Sequence, residues 1–209
     1  VLFVKKKINH ENEVLKMYGY QGKMLVIDVT EGKCLPETFE ESFGRKYIGG
    51  VGFGIKLLYD RLAPRIDPLS PENHLIFSSG PLSSVNFLGS TGISVATKSP
   101  LTGLIGDSDL RGTFGRTLKS CGYDVLVIKG KASRPVYIEM IDDSVKIKDA
   151  GDLWGKTTGE VQSILSRETE KGTNILCIGP AGERLVRYAC ISGDVQFFAG
   201  RLGTGAVMG

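Results

Sequence analysis

The sequence predicts a mixed α+β domain in which strands dominate. Short apolar runs of strand length recur along the chain, each bounded by Gly, Ser or Pro. Helical periodicity is confined to a few segments. The 28 glycines exceed the 15 or so that average usage of about 7% gives, so many tight turns or close backbone approaches are expected. At 209 residues, 41% hydrophobic and 23% charged, the chain can bury a proper core. No internal linker interrupts it, and one domain is predicted.

Residues 1–16, "VLFVKKKINHENEVLK", are polar and read as an extension or short flexible arm ahead of a domain beginning at Met17. "GKMLVIDVTEGKCLPETF" alternates around Leu25, Ile27 and Val29 and breaks at Glu31-Gly32, the pattern of a β-hairpin. After Gly52, Phe53, Lys56, Leu57 and Leu58 fall at helical spacing, and Pro64 is the stop. "HLIFSSGPL", "GISVATKSPL" and "DVLVIKGKA" are strand segments, and "RPVYIEMIDDSVKIKDA" is a hairpin turning at Asp142-Asp143-Ser144. "GTFGRTLKSCGYD" is a short helix with Thr113 near its start and Gly122 as cap. "TTGEVQSILSRETEKG" is an amphipathic helix with Val161, Ile164 and Leu165 on one face, closed by Gly172. "NILCIGPAGE" and "VRYACIS" complete the strands.

Composition excludes several classes. A net charge of +3 with dispersed basic residues does not argue for nucleic acid, and no apolar run is long enough to span a membrane. Cys34, Cys121, Cys177 and Cys190 lie far apart with no C-x-x-C, and only His10 and His74 accompany them. No zinc or iron–sulfur ligand set is visible, and reduced thiols in the cytoplasm are the simplest reading.

Three glycine-bearing stretches are candidates for chemistry: residues 80–103, residues 106–115 and the last thirteen, "FFAGRLGTGAVMG". "GGVGFG" before a helix lacks a βαβ unit behind it, so helix packing is the better account of its glycines. Asp107 and Asp109 flank Ser108, with Arg111 two residues on. Such carboxylates suit a divalent cation or a salt-bridged surface turn, and spacing alone favours the turn. His74 reads as a solvent-facing polar residue and Cys121 as a buried structural thiol. In the terminal stretch, bare glycines beside Arg201 suit the close approach of a phosphate or carboxylate, or a turn between strands.

In order, "MYGYQGKMLVIDVTEGK", "YIGGVGFGIKLLYD", "DPLSPENHLIFSSGPL", "TKSPLTG", "GYDVLVIKGKASRPVYIEM", "LWGKTT", "IGPAGERLVRYA" and "AGRLGTGAVMG" resemble the N-terminal domain of the aldehyde:ferredoxin oxidoreductase family, from Met17 to Gly209. The resemblance implies two packed β-sheets forming a base for a bis-pterin cofactor, tungstopterin or molybdopterin, with magnesium bridging its phosphates. Gly92 stands where the family has an arginine. Asp109, Leu110 and Arg111 replace an Asn-x-Gly stretch, and Phe197 and Phe198 replace an Arg-Ala pair. Ala199, Gly200, Arg201, Gly203 and Gly205 keep the pattern. The resemblance gives the magnesium carbonyls to Asp109 and Phe198, and Arg111 is expected to compensate for the arginine absent at 92.

In the family, two helical domains follow, with cysteines for a [4Fe–4S] cluster and the acid–base residues; no catalytic residue is assigned in this chain. The implied activity is oxidation of aldehydes to carboxylic acids. The implied partners are ferredoxin and the C-terminal domains or a separate iron–sulfur subunit. The chain alone is expected to be inactive and to hold little pterin. The alternative is a catalytically inactive scaffold of the same fold, binding a protein partner or a second copy. A generic phosphate-ligand binding protein leaves the ordered motifs unexplained.

Overall fold

The structure is a computed structural model that describes residues 1–5, 18–85, 87–142, 144–170, 172–194 and 196–209. In chain order the first half holds β1 (Leu2–Lys5), β2 (Lys23–Asp28), β3 (Lys33–Thr38), α1 (Glu41–Tyr47), α2 (Val51–Arg61), β4 (His74–Ser78), β5 (Ile93–Lys98) and β6 (Ile105–Leu110). Then come α3 (Phe114–Ser120), β7 (Val125–Lys129), β8 (Val136–Ile141), β9 (Ser144–Asp149), a 3-10 turn at Gly151–Leu153 and α4 (Thr158–Glu168). The chain finishes with β10 (Asn174–Cys177), α5 (Pro180–Glu183), β11 (Ile191–Gly193), β12 (Phe197–Ala199) and α6 (Thr204–Met208).

Among the described residues, twelve strands form two six-stranded mixed sheets, ordered β3-β2-β7-β4-β5-β6 and β12-β11-β10-β1-β8-β9. Strand alternation decides what each face meets. In β2, Leu25 and Ile27 join the core between the sheets, while Met24 and Val26 face Phe53, Leu57 and Leu58 of α2. Leu75 and Phe77 of β4 likewise point between the sheets and Ile76 toward α2. Strands buried on both faces therefore read as unbroken apolar runs. On the far side of the second sheet, Val161 and Leu165 of α4 cover Ile175 and Cys177. Each fully buried Leu or Phe contributes roughly 1.5–3 kcal/mol.

The hairpins at β2–β3 and β8–β9 match the sequence reading, with Asp143 of the second turn outside the described residues. The α4 helix starts with a full capping box: Thr157 Oγ1 accepts from the Glu160 amide, and Glu160 accepts from the Thr157 amide. It ends at Glu168, four residues ahead of Gly172. Thr113 is the N-cap of α3 and Cys121 its buried C-cap, where Sγ donates to the Lys5 carbonyl. The glycines of "GGVGFG" serve packing: a Cβ on Gly52 would lie 2.0 Å from the Tyr47 carbonyl oxygen and one on Gly54 2.6 Å from Ala96 Cβ.

Several elements differ from expectation. Leu2–Lys5, read as part of a polar extension, form β1, parallel to β8 and antiparallel to β10, with Leu2 and Val4 in the core. Residues 6–17 of that stretch lie outside the described residues. "IGDSDL" is strand β6, not a turn, because all six residues pair with β5, Ile93↔Leu110 through Lys98↔Ile105. "PAGE" after β10 is the short helix α5, and in "VRYACIS" only the end reaches strand β11. α1 and β12 carried no reading as elements.

A buried ion pair locks the region where β2, α3 and β4 come together. Lys119 Nζ lies 2.9 Å from Asp124 Oδ1 with both side chains sealed from water. The Asp124 carboxylate also accepts from the amides of Gln21 and Gly22, and Lys119 donates to the Gly80 carbonyl at 2.8 Å. All these charges have partners, as buried ions require.

His74 is buried, 9% exposed, contrary to the solvent-facing reading. Burial first, then the nearby Arg61 and Lys129, lower its pKa to about 4, against a weaker opposing pull from Asp28. The unfolded chain takes up this proton near pH 6.5 and the folded chain only near 4, so stability is intact above 6.5 and falls as pH drops through that window. The loss attributable to His74 amounts to roughly 3 kcal/mol at most. Urea midpoints measured from pH 7 to 4 should show this decline in the wild type and a shallower one in His74→Gln; parallel curves would contradict it.

Candidate functional site

Two edge strands from different sheets, β6 and β12, pack side by side and close one side of the sandwich. Three contacts fix how they run. A Cβ on Gly112 would sit 3.2 Å from the Phe197 ring, the Arg201 amide donates to Ser108 Oγ at 3.0 Å, and a Cβ on Gly106 would sit 2.8 Å from Leu202 Cδ1. Residue numbers rise along one strand as they fall along the other, so the segment from Phe197 to Leu202 runs antiparallel to the segment from Gly106 to Gly112.

The sequence candidates lie along this seam. The ladder places Ile93 opposite Leu110, and Gly92 follows beside it, a Cβ there falling 3.2 Å from the Leu110 carbonyl oxygen. Leu110 and Ala199 point into the core between the sheets. Asp109, Arg111, Phe198, Gly200 and Arg201 are exposed, and Phe197 and Gly92 are half-buried. Ten residues from three separate stretches thus share one ridge, although Leu110 and Ala199 point inward, Gly203 is buried, and Gly92 and Gly200 have no side chain to offer a ligand. Among the described residues no ion pair joins Asp107 or Asp109 to Arg111 or Arg201, so the salt-bridged turn does not form.

The glycines of the terminal stretch divide by role. Gly203 has φ +68° and a Cβ there would be 1.9 Å from the Arg187 carbonyl oxygen, while one on Gly205 would be 2.4 Å from that of Cys190. Both are needed for the end of the chain to pack. A Cβ on exposed Gly200 would meet nothing within 4 Å, so nothing inside the chain requires a glycine there. The vacancy leaves room for another group to approach the backbone.

Leu202 also takes a left-handed φ of +63°, which costs a leucine about 1–2 kcal/mol. Its carbonyl accepts from Ser99 Oγ at 2.8 Å, and Thr204 Oγ1 donates to the Ala199 carbonyl at 3.0 Å. Sequence reasoning missed Ser99 and Ser108 as individuals, although "TKSPLTG" contains the first. Buried hydroxyls leave no periodic signal, and only the fold shows whose backbone they hold.

Two further features bear on ligands. No group of three or more His, Cys, Asp or Glu among the described residues is arranged to hold a metal ion. A cavity of about 420 Å³, lined by Ile128, Ser133, Trp154 and Met208 among others, contains none of the seam candidates. Among the described residues no helix is long and apolar enough to cross a membrane.

The family model "Aldehyde ferredoxin oxidoreductase, N-terminal domain" matches residues 24–209, and the chain belongs to that family. It is 45% identical over 194 residues to the tungsten-containing aldehyde ferredoxin oxidoreductase of Pyrococcus abyssi, covering 92% of this chain and 32% of that protein. It is 34% identical to the aliphatic sulfonate oxidoreductase, WOR-like subunit, of Pyrococcus furiosus, with 92% and 33% covered. Among solved structures, the active site complex BamBC of benzoyl coenzyme A reductase with 1,5-dienoyl-CoA matches at TM-score 0.88 and 37% identity, over 92% of this chain and 29% of that one. The chain spans about a third of the length of these curated relatives.

The division of glycines makes a clear prediction. Gly203→Ala should lower stability by roughly 2–3 kcal/mol through strain and overpacking. Gly200→Ala should stay within about 0.5 kcal/mol of wild type. Equal denaturation midpoints for the two variants would contradict the assignment.

Proposed function

We propose that this chain is the cofactor-binding base of a tungsten or molybdenum bis-pterin oxidoreductase whose remaining domains or partner subunit complete the active site. The observation that carries the reading is the seam itself, where exposed Arg111 and Arg201 have no ion-pair partner among the described residues and flank a backbone opened by Gly200.

The residues fit the anionic parts of such a cofactor. Guanidinium groups suit phosphate by paired N–H bonds, and a bare glycine admits phosphate oxygens close to the main chain. Asp109 and the Phe198 carbonyl are oxygen donors of the kind magnesium takes, with the other oxygens coming from phosphate or water. Gly92 brings no cation to its end of the ridge, and Arg111 supplies one two residues after Asp109.

When bound, the cofactor supplies a two-electron redox centre. Oxidation of an aldehyde with water gives the carboxylic acid, two protons and two electrons, the electrons passing through a [4Fe–4S] cluster in the C-terminal part to ferredoxin. What this chain's residues do is bind and orient: Arg111 and Arg201 neutralise phosphate, Asp109 holds magnesium, and the rigid sandwich fixes them. The name of the Pyrococcus abyssi relative supports tungsten. No disulfide joins Cys34, Cys121, Cys177 and Cys190.

One observation favours a second reading, a protein-binding scaffold. Phe198 is half exposed on the ridge, and Leu82, Phe87, Leu88, Leu101 and Leu104 are exposed on loops that flank β5 and β6. Metal and pterin analysis of polypeptide purified from its own host separates the two. Tungsten or molybdenum near one per chain, with pterin, is expected, and Arg111→Ala should lower that occupancy. Native material free of both would contradict the cofactor reading and favour the scaffold.

A further inference from the structure

We propose that two buried serines, Ser99 and Ser108, are positioning residues that hold the Gly200–Leu202 turn in the shape that presents Arg201 to an anion. The proposal rests on the anion-site reading above and adds residues to it that do not touch the ligand.

Both hydroxyls are sealed from water, the residues being 0% and 2% exposed. Ser99 Oγ accepts from the amides of Leu101 and Thr102, each at 3.1 Å, and donates to the Leu202 carbonyl at 2.8 Å. A hydroxyl has one proton and two lone pairs, so with both lone pairs occupied its proton is committed to Leu202. Ser108 Oγ accepts from the Arg201 amide at 3.0 Å. Consecutive residues of the turn are therefore held on both sides of the 201–202 peptide unit, the amide before it by β6 and the carbonyl after it by the loop after β5.

The held conformation is one the chain would not adopt freely. Leu202 and Gly203 both have positive φ, +63° and +68°, before α6 begins at Thr204. Strained backbone persists where its surroundings over-determine it. Here the two serines and the packing of Leu202 against Gly106 provide that determination. Arg201 is exposed and its side chain has no ion-pair partner among the described residues, so its backbone is what aims it. Releasing either serine lets the turn relax and scatters the guanidinium.

The test compares wild type with Ser99→Ala, Ser108→Ala and the hydroxyl-retaining Ser99→Thr. Amide hydrogen exchange is read over residues 199–209, with β4 as internal reference. The affinity for inorganic phosphate is read from the Arg201 guanidinium NMR signal. Each alanine variant should exchange at least tenfold faster across the turn with β4 unchanged, and bind phosphate several-fold more weakly, while Ser99→Thr restores both. Unchanged exchange across the turn overturns the proposal. So does unchanged phosphate affinity in a variant whose turn has loosened, since the serines then serve the fold alone. A wild-type Arg201 signal indifferent to phosphate contradicts the anion-site reading instead, and the exchange data still decide what the serines hold.

Discussion

Edge strands carry rows of unpaired backbone groups, and a sandwich of two sheets has four such edges. In this molecule two of them, β6 and β12, are brought against each other, and the candidate site depends on that meeting. The contact converts two separate edges into one ridge and brings residues near 92, 110 and 200 together. The other two edges, β3 and β9, stay open and carry charge: Lys33 and Glu37 on one, Lys146, Lys148 and Asp149 on the other. Charged edges resist pairing with other chains.

The motif string owes its order to hydrogen bonds that tie its members together. Asn73 of "DPLSPEN" donates to the carbonyls of Pro68 and Lys98 and to Thr97 Oγ1, while its own oxygen accepts from the His74 amide. Lys98 reaches back to the Ile66 carbonyl at 2.7 Å. Ser99 of "TKSPLTG" then holds Leu202 of "AGRLGTG". The chain of contacts runs from the loop before β4, through the end of β5, to the Gly200–Leu202 turn. What looks in the sequence like a set of separate signatures is one brace.

Legibility followed the physics of each element. The β2–β3 hairpin, α2 and α4 were readable because alternation, helical spacing and caps all agreed at those places. β6 was not, because "IGDSDL" has two aspartates and a glycine, residues depleted in strands, and only pairing with β5 makes it one. β12 is three residues long and β1 four, too short for periodicity to register. The burial of His74 was hidden by its neighbours in sequence, since Glu72 is exposed and the charges near the imidazole, Arg61 and Lys129, come from α2 and β7. At the candidate site, the positions come from resemblance alone, whereas the contrast between Gly203, which packing requires, and Gly200, which it does not, shows only in the fold.

The central claim is that the seam is a wall of the cofactor site and that Gly200 is its opening. The most direct test is cofactor content of Gly200→Leu in the complete protein from its own host, set beside its unfolding midpoint. The account predicts wild-type stability with pterin and metal largely lost, because the side chain fills space that only the ligand uses. Full pterin and metal content in a folded Gly200→Leu protein would contradict it.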